Sequence, residues 1–415
     1  MERRRVVVTG MGVVSPSGLD LDSFWTSIVK GESSVGLITK FDSSNFEVKM
    51  AGEINNFNIS EYGFPFMLTR QLDVFTHYAM AATKMALNDS GIVLEDVNRN
   101  RMGVFVGNCL GGVGFGEREL FNLYQKGYRD VSPYQAISWF YTAPQGQISI
   151  YYKLKGFSKT FVADRISSEV AIGNAFNSIR LNRIDSCVVC GTEAGVFPYG
   201  FLGFMKSGVL SRRNDRPTTA YRPFDLDRDG MVMGEGSGVL LIEELEHALR
   251  RNAKIYGEIV AFDSNCDGVH HKNHDRVGLG YKDVIEACIS KAKIKPKDID
   301  YINLDGCGLK EDDVIETNVL KEVFGNKIES ISLSCPKSMF GHAFGAAGAI
   351  DTIINCLAIK NGKIPPTINY ENEDKQCDLN YTPNNTVDRE VKTTLQIARG
   401  RGGINSALII RKFEG

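Results

Sequence analysis

The stretch that most limits what this chain can become runs from Lys159 to Leu181. Lys159-Thr-Phe-Val-Ala163 reads as a strand. Ile166 to Leu181 reads as a helix that is apolar or small almost all round, through Ile166, Val170, Ala171, Ile172, Gly173, Ala175, Phe176 and Ile179. A helix with no polar face has to be buried. The sharp turn between strand and helix sets one side chain at the helix N-terminus, where unpaired N–H groups and the helix dipole stabilise a thiolate. That place suits a cysteine nucleophile, and Arg165 holds it. A guanidinium stays protonated at any usable pH and serves as neither nucleophile nor base.

The rest of the chain alternates buried strands with helices. Arg5-Val-Val-Val-Thr-Gly10, Met102-Gly-Val-Phe-Val-Gly107 and Tyr301-Ile-Asn-Leu-Asp-Gly306 are apolar runs of the kind found in strands covered on both faces. Thr69 to Gly91 has apolar residues at helical spacing, and Gly91 suits its C-terminal cap. A second half begins near Tyr256 and echoes the first: a strand to Asp263, a helix near Val284–Ala292, the strand at Tyr301 and another at Ser330–Ser334. A helix then runs to about Ile359, ended by Asn361-Gly362, and a glycine turn feeds the closing strand to Ile410. The pattern predicts an α/β fold of two similar halves, 1–255 and 256–415. The 415 residues can bury a large core. A net charge of −2 gives no reason to expect nucleic acid or an anionic membrane surface as a partner. No run of about 18 apolar residues is present, so no membrane span is expected. The opening residues read as a strand and turn rather than a signal peptide. Nine cysteines without disulfide-like spacing fit a reducing cytoplasm.

Several weaker motifs have bland readings. Asn108 to Glu117 is a glycine-rich loop, but it lacks the G-K-[ST] ending and the dinucleotide spacing. Cys187 and Cys190 lie on a strand and point to opposite faces, against a redox pair. Asp225, Asp227 and Asp229 resemble the start of a calcium loop whose twelfth position is Gly236, so calcium is not expected. His270, His271 and His274 with Asp267 could form a zinc site, although neighbouring histidines in a polar loop are more often solvated; no metal is expected. The aromatic stretch Asp130–Leu154 packs in the core or presents an apolar surface to a partner or an acyl chain. Arg212 and Arg213 could meet an acidic partner, with a solvated loop as the plainer reading.

Taken together, Val6-Val-Val-Thr-Gly-Met-Gly12, Gly191-Thr-Glu-Ala194, Pro223-Phe-Asp225 with Arg228-Asp-Gly230, Lys337-Ser338, Gly341-His342, Gly345-Ala-Ala-Gly348 and the closing glycine turn resemble the β-ketoacyl synthase family over nearly the whole chain. The resemblance implies a thiolase-like layered αβαβα fold of two pseudo-repeated halves, working as a dimer. It also implies decarboxylating condensation by a Cys–His–His set in which the cysteine is acylated and the histidines stabilise the enolate. Position by position, Arg165 stands for the cysteine and Asp305 for the first histidine. His342 and Lys337 are retained, and Arg401 replaces a gating phenylalanine. No catalytic residue is therefore expected.

Within the family, Gly111 to Leu120 and Val131 to Tyr141 resemble the chain-length factor of type II polyketide synthases. That resemblance implies a non-catalytic subunit that heterodimerises with an active ketosynthase and shapes a shared tunnel. The alternatives are an autonomous condensing homodimer and a purely structural stabiliser of the ketosynthase. The chain needs no cofactor of its own, since substrate arrives on the phosphopantetheine of an acyl carrier protein. The same resemblance places Val113, Gly116, Leu120 and Tyr199 on the tunnel wall, and Phe161, Tyr134 and Gln135 at the dimer interface, where the 159–163 strand pairs across the axis. Arg165 and Asp305 are charge-complementary changes at positions the family fold brings close. They are expected to form an ion pair, with Arg401 as a competing partner.

Overall fold

A computed structural model describes residues 4–269, 275 and 277–415. The first strand, β1 (Val6–Val14), does not stop at its glycines as the sequence pattern suggests but runs through them. Its neighbour α1 (Val74–Ser90) explains why. A Cβ on Gly10 would lie 2.3 Å from the Ala86 carbonyl oxygen, and one on Gly12 would lie 2.1 Å from that of Ala82. The glycines serve helix–strand approach rather than a turn. Asp73 caps α1 by accepting from Phe75 N, and Gly91, at φ 63°, closes it as expected.

The first half continues with β2 (Met102–Gly107), α2 (Val113–Lys126), α3 (Ala143–Tyr152), β3 (Lys159–Phe161), α4 (Ser167–Arg180), β4 (Ser186–Glu193), α5 (Pro198–Lys206) and β5 (Gly236–Glu244). The second half holds β6 (Gly257–Cys266), α6 (Leu279–Ala292), β7 (Tyr301–Asn303), α7 (Lys310–Phe324), β8 (Ser332–Ser334), α8 (Ala347–Asn361), β9 (Thr393–Gly400) and β10 (Ile404–Arg411). The glycine-rich 108–117 segment is thus only partly a loop, because α2 begins within it. Its glycines admit a close neighbour: a Cβ on Gly112 would sit 2.2 Å from the Ser138 carbonyl oxygen.

Hydrogen bonding orders the strands β8-β7-β9-β10-β6-β1-β5-β4-β2-β3. Outward from the centre, the first half reads first, fifth, fourth, second, third strand, and the second half repeats that order. The two halves are joined where β1 pairs with β6. Helices α4 and α8 pack against each other in a core that draws on both halves, including Ala171, Ile172, Ile350 and Ile354 with Leu240 and Leu408. Helix α1 covers the outer face of the first half and α6 that of the second. The result is the αβαβα layering of a thiolase-like α/β fold, and the helix apolar all round sits in the middle layer.

Strand β3 pairs with β2 on one side only and forms the edge of the sheet. The aromatic stretch beside it resolves toward the surface: Tyr134, Trp139, Phe140, Tyr141 and Tyr151 are exposed in this chain. Cys187 and Cys190 are buried on β4, and burial pushes the Cys190 thiol up to about 12. Asp225 accepts from Asp227 N and, with its other oxygen, from Glu371 N and Asn372 N, while Asp227 accepts from Asn372 Nδ2 and Asp229 from the Ser211 hydroxyl, so the acidic loop is spent on protein donors. No cluster of potential metal ligands exists among the described residues. His270, His271 and His274 lie outside them, and their neighbour Asp267 pairs with Arg399 at 2.6 Å. Among the described residues, no helix is long and apolar enough to cross a membrane.

Candidate active-site pocket

The loops leaving β2, β3, β7 and β8 gather at the carboxyl ends of parallel strands, where open α/β sheets place their ligands. The turn after β3 is built by Ser167, whose hydroxyl accepts from Ala163 N at 2.8 Å and donates to the Asp164 carbonyl at 2.7 Å. It holds Asp164 at φ 50° and leaves Arg165 only 4% exposed at the start of α4.

Arg165 Nη1 lies 3.4 Å from Asp305 Oδ2, which forms the pair expected from the sequence. The separation exceeds the ~2.7–2.9 Å of a strong charge-assisted bond. Burial alone would raise the Asp305 carboxyl, but Arg165 and His342 outweigh it and hold the group below its usual range. Burial likewise works against the Arg165 charge, and the surrounding acids, led by Asp305, hold it on more firmly. The Asp305 loop is pinned from α7, where Glu316 accepts from Asp305 N and Gly306 N at 2.9 Å each. Burial and the nearby Asp305 raise the Glu316 carboxyl.

His342 Nδ1 accepts from Phe344 N at 3.0 Å, so the neutral ring carries its proton on Nε2. That nitrogen is 3.8 Å from Asp305 Oδ1, too far to bond. Burial lowers the His342 pKa, and Asp305 partly opposes the shift. Lys337 donates to the Leu304 carbonyl at 2.8 Å and to Asp351 at 2.7 Å, tying the loop after β7 to α8. Burial disfavours its charge, but Asp351 more than compensates and raises its pKa. Four buried atoms of this cluster have no hydrogen-bond partner: Arg165 Nε, Asp305 Oδ1, His342 Nε2 and Asp351 Oδ1.

Arg401 is not the rival partner that the sequence suggested. It lies on the turn between β9 and β10 with its side chain exposed, and its backbone N–H donates to Asp164 Oδ2 at 2.7 Å. A cavity of about 630 Å³ runs from Lys206 and Arg401 at the rim, past Phe204 and Phe344, to Arg165 at the floor. A second, more apolar cavity of about 590 Å³ shares Phe204 and Arg401 with it and is lined by Leu110, Trp139 and Leu202, together with Val113 and Tyr199. The other two wall positions expected from the sequence, Gly116 and Leu120, do not line either cavity of this chain. A Cβ on Gly116 would meet the Trp139 ring at 2.9 Å, so this glycine is packed rather than facing open space, and Leu120 lies on the surface. Of the three residues placed at the dimer interface, Tyr134 is exposed, Gln135 half-buried, and Phe161 packs partly into the core.

Two residues escaped the sequence reading as site residues. Glu193 is fully buried and accepts from Cys109 N, Leu110 N and Gly345 N, which locks two of the site's loops together. Burial pushes its carboxyl up to about 8. Its signal was an acid inside an otherwise apolar strand, Gly191-Thr-Glu-Ala194. Asp164 had no such signal, because its role depends on a turn closing against a distant glycine loop. Neither nearby thiol is activated: burial and then Glu193 push Cys109 up, while burial and then Asp312 push Cys307 up.

A two-half layered fold with His342 and Lys337 on converging loops is that of the ketosynthase class of thiolase-like proteins, and Arg165 and Asp305 are this chain's departures from it. Residues 3–248 match the β-ketoacyl synthase N-terminal domain and residues 256–371 its C-terminal domain. The chain belongs to the β-ketoacyl synthase family. It is 37% identical over 412 residues to 3-oxoacyl-[acyl-carrier-protein] synthase 2 of Coxiella burnetii, covering 99% of each chain. It is 36% identical over 414 residues to the Synechocystis protein of the same name, covering 100% of this chain and 99% of that one. Among solved structures it resembles a type II polyketide synthase acyl-carrier protein in complex with its ketosynthase bound to the hexaketide (AntDE:AntF), at TM-score 0.92 and 28% identity. It also resembles the ishigamide ketosynthase/chain length factor, at TM-score 0.92 and 29% identity. Both structural matches cover 100% of each chain. The full-length relatives correct the expectation of a non-catalytic chain-length-factor subunit, since they are synthases. The glycine-rich 111–120 segment behind that expectation packs α2 against Trp139.

Proposed function

We propose that this chain acts in its own right, as a pair of identical subunits, in 3-oxoacyl-synthase-type carbon-chain assembly on acyl groups delivered by an acyl carrier protein. The end-to-end match to 3-oxoacyl-[acyl-carrier-protein] synthases carries the reading. The second copy pairs at the edge strand β3, beside exposed aromatic side chains. The acyl thioester, on its phosphopantetheine arm, enters the 630 Å³ cavity and lays its chain against the apolar walls. Behind the floor residue Arg165, the buried His342 Nε2–H is an unspent donor that would serve a thioester or enolate oxygen, with Arg165 adding a fixed positive charge. Since Arg165 takes no acyl group, the acyl chain passes directly from its carrier's thioester to the carbon that malonyl-carrier protein exposes on losing CO2, releasing the first carrier as its free thiol, with no acyl-enzyme between.

Arg165 also favours a second reading, in which the pocket holds the thioester without condensing it. The test incubates the purified chain alone with hexanoyl- and malonyl-carrier protein and follows products by mass spectrometry. Accumulation of 3-oxoacyl-carrier protein, with no acyl mass on the chain, supports the synthase. Saturable binding of the acyl form without product supports the second reading. A protein that does not distinguish acyl-carrier from unloaded carrier would overturn both.

A further inference from the structure

We propose that the cavity carries a second activity, hydrolysis of an acyl thioester, in which Asp312 takes the proton from the attacking water and Arg165 Nη2 faces the oxyanion that forms. Both side chains line the 630 Å³ cavity. Asp312 stands in the first turn of α7, half-buried. Its Oδ2 accepts from the Cys307 thiol at 3.5 Å, and its Oδ1 has no partner among the described residues. Asp164, the other acid on the wall, is already spent: Oδ2 accepts from Arg401 N at 2.7 Å and Oδ1 from the Cys109 thiol at 3.7 Å. Arg165 gives Nη1 to Asp305. Its Nε is sealed in without an acceptor, whereas Nη2 bonds nothing and is not sealed in, so that nitrogen opens to the cavity. Burial opposes the Arg165 charge, Asp305 does most to restore it, and Asp312 is near enough to contribute.

An unpaired carboxylate and a free guanidinium N–H in one cavity are the two parts that water attack on a thioester needs, a base and an oxyanion donor. At ~30 Å³ per water, a cavity of this volume has room for the attacking water beside an acyl group. The water oxygen bonds to the thioester carbon while Asp312 Oδ1 takes its proton, and the carbonyl electron pair moves onto the oxygen facing Arg165 Nη2. Collapse of that intermediate breaks the C–S bond, and the departing thiolate recovers the proton from Asp312. One thioester and one water give one carboxylic acid and one free carrier thiol, with no change of oxidation state and no further reactant. Arginine at position 165 keeps this route open, because it takes no acyl group and leaves the thioester to water. The inference rests on the reading that carrier-borne acyl thioesters enter the cavity, and it requires only that they enter, not that they condense.

The test incubates the chain with hexanoyl-carrier protein and no malonyl donor, and reads loss of hexanoyl mass from the carrier and release of hexanoate by mass spectrometry. Release is expected to run at least a hundredfold above buffer. Asp312→Asn keeps the shape of the side chain and its acceptor for Cys307. It is expected to lower kcat at least tenfold while the affinity for hexanoyl-carrier protein stays within twofold, a split that a merely structural Asp312 would not give. Should Asp312→Asn fail to fold, Asp312→Ser takes its place with the same expectation. A single turnover in water enriched in heavy oxygen is expected to label the hexanoate; label in the protein would make Asp312 a nucleophile and overturn its role as base. A parent protein that binds hexanoyl-carrier protein yet releases no more hexanoate than buffer, or release that Asp312→Asn leaves unchanged, overturns the inference and leaves the carrier-protein reading standing. A parent protein that does not bind hexanoyl-carrier protein overturns both.

Discussion

Replacing Asp305 with alanine strips the charge partner from an arginine that is 4% exposed. Breaking one side of a buried ion pair costs about 3–5 kcal/mol, because the surviving charge is left uncompensated. Two features place this case near 3 kcal/mol. The pair is already long at 3.4 Å, and Asp164 remains 3.7 Å from Arg165 Nε as a partial substitute. Unfolding entropy of about 2.1 cal/mol/K per residue turns ~3 kcal/mol into a fall in Tm of roughly 3–4 °C for a chain of this length. Urea unfolding followed by fluorescence gives the free energy, and calorimetry gives the Tm. The companion variant Arg165→Met/Asp305→Ala removes both charges and is expected to recover at least half the loss, since apolar replacement of a buried pair is often neutral. An Asp305→Ala protein within about 0.5 kcal/mol of the parent, the range of an ordinary surface change, would refute the reasoning.

Arg165→Cys puts a thiol at the N-terminus of α4, but Asp305 remains beside it and disfavours the thiolate. Alkylation by iodoacetamide at pH 7.5 is expected to be about tenfold slower than in Arg165→Cys/Asp305→Asn, one unit of thiol pKa; equal rates would contradict the placement. Burial raises the Glu193 carboxyl to about 8 and that of Glu169 to about 7. Folded-state carboxyls raised in this way contribute stability that is full below the ordinary glutamate range and is lost as pH rises through 7 to 8. The urea midpoint is therefore expected to fall between pH 6 and pH 8.5, and a rise would contradict burial as the cause. Val113→Trp narrows the second cavity; at about 1.4 kcal/mol of overpacking it is expected to weaken long-chain acyl-carrier binding tenfold relative to hexanoyl. Equal weakening of both would place the chain elsewhere.

The two-half topology was legible because each half carries the same sequence of buried strands and helices, and the 166–181 segment, apolar or small almost all round, had to be buried. The Arg165–Asp305 pair was legible from two charge changes on loops the fold brings together. Other features lay beyond the sequence because they depend on packing across long separations. Gly10 and Gly12 read as a turn until α1 was seen pressed against them. The 108–117 glycines read as a loop, although they admit Ser138 and Trp139. The aromatic 130–154 stretch has helical spacing whether its rings face the core or the outside. Arg401 read as a charge opposite Asp305, whereas its backbone N–H, present at nearly any residue type, is what holds Asp164. The role of the chain was misread for a related reason: local segments resembled one branch, while the whole length matched synthases.

The central claim, a self-sufficient ketosynthase-type protein that holds carrier-borne acyl thioesters without becoming acylated, is met most directly by native mass spectrometry of the chain with hexanoyl-carrier protein. The expected spectrum shows a homodimer that retains the hexanoyl form in preference to the unloaded carrier, and a denatured chain at its unmodified mass of 45.9 kDa. A monomer blind to the acyl group, or a chain heavier by one hexanoyl unit after denaturation, would contradict it.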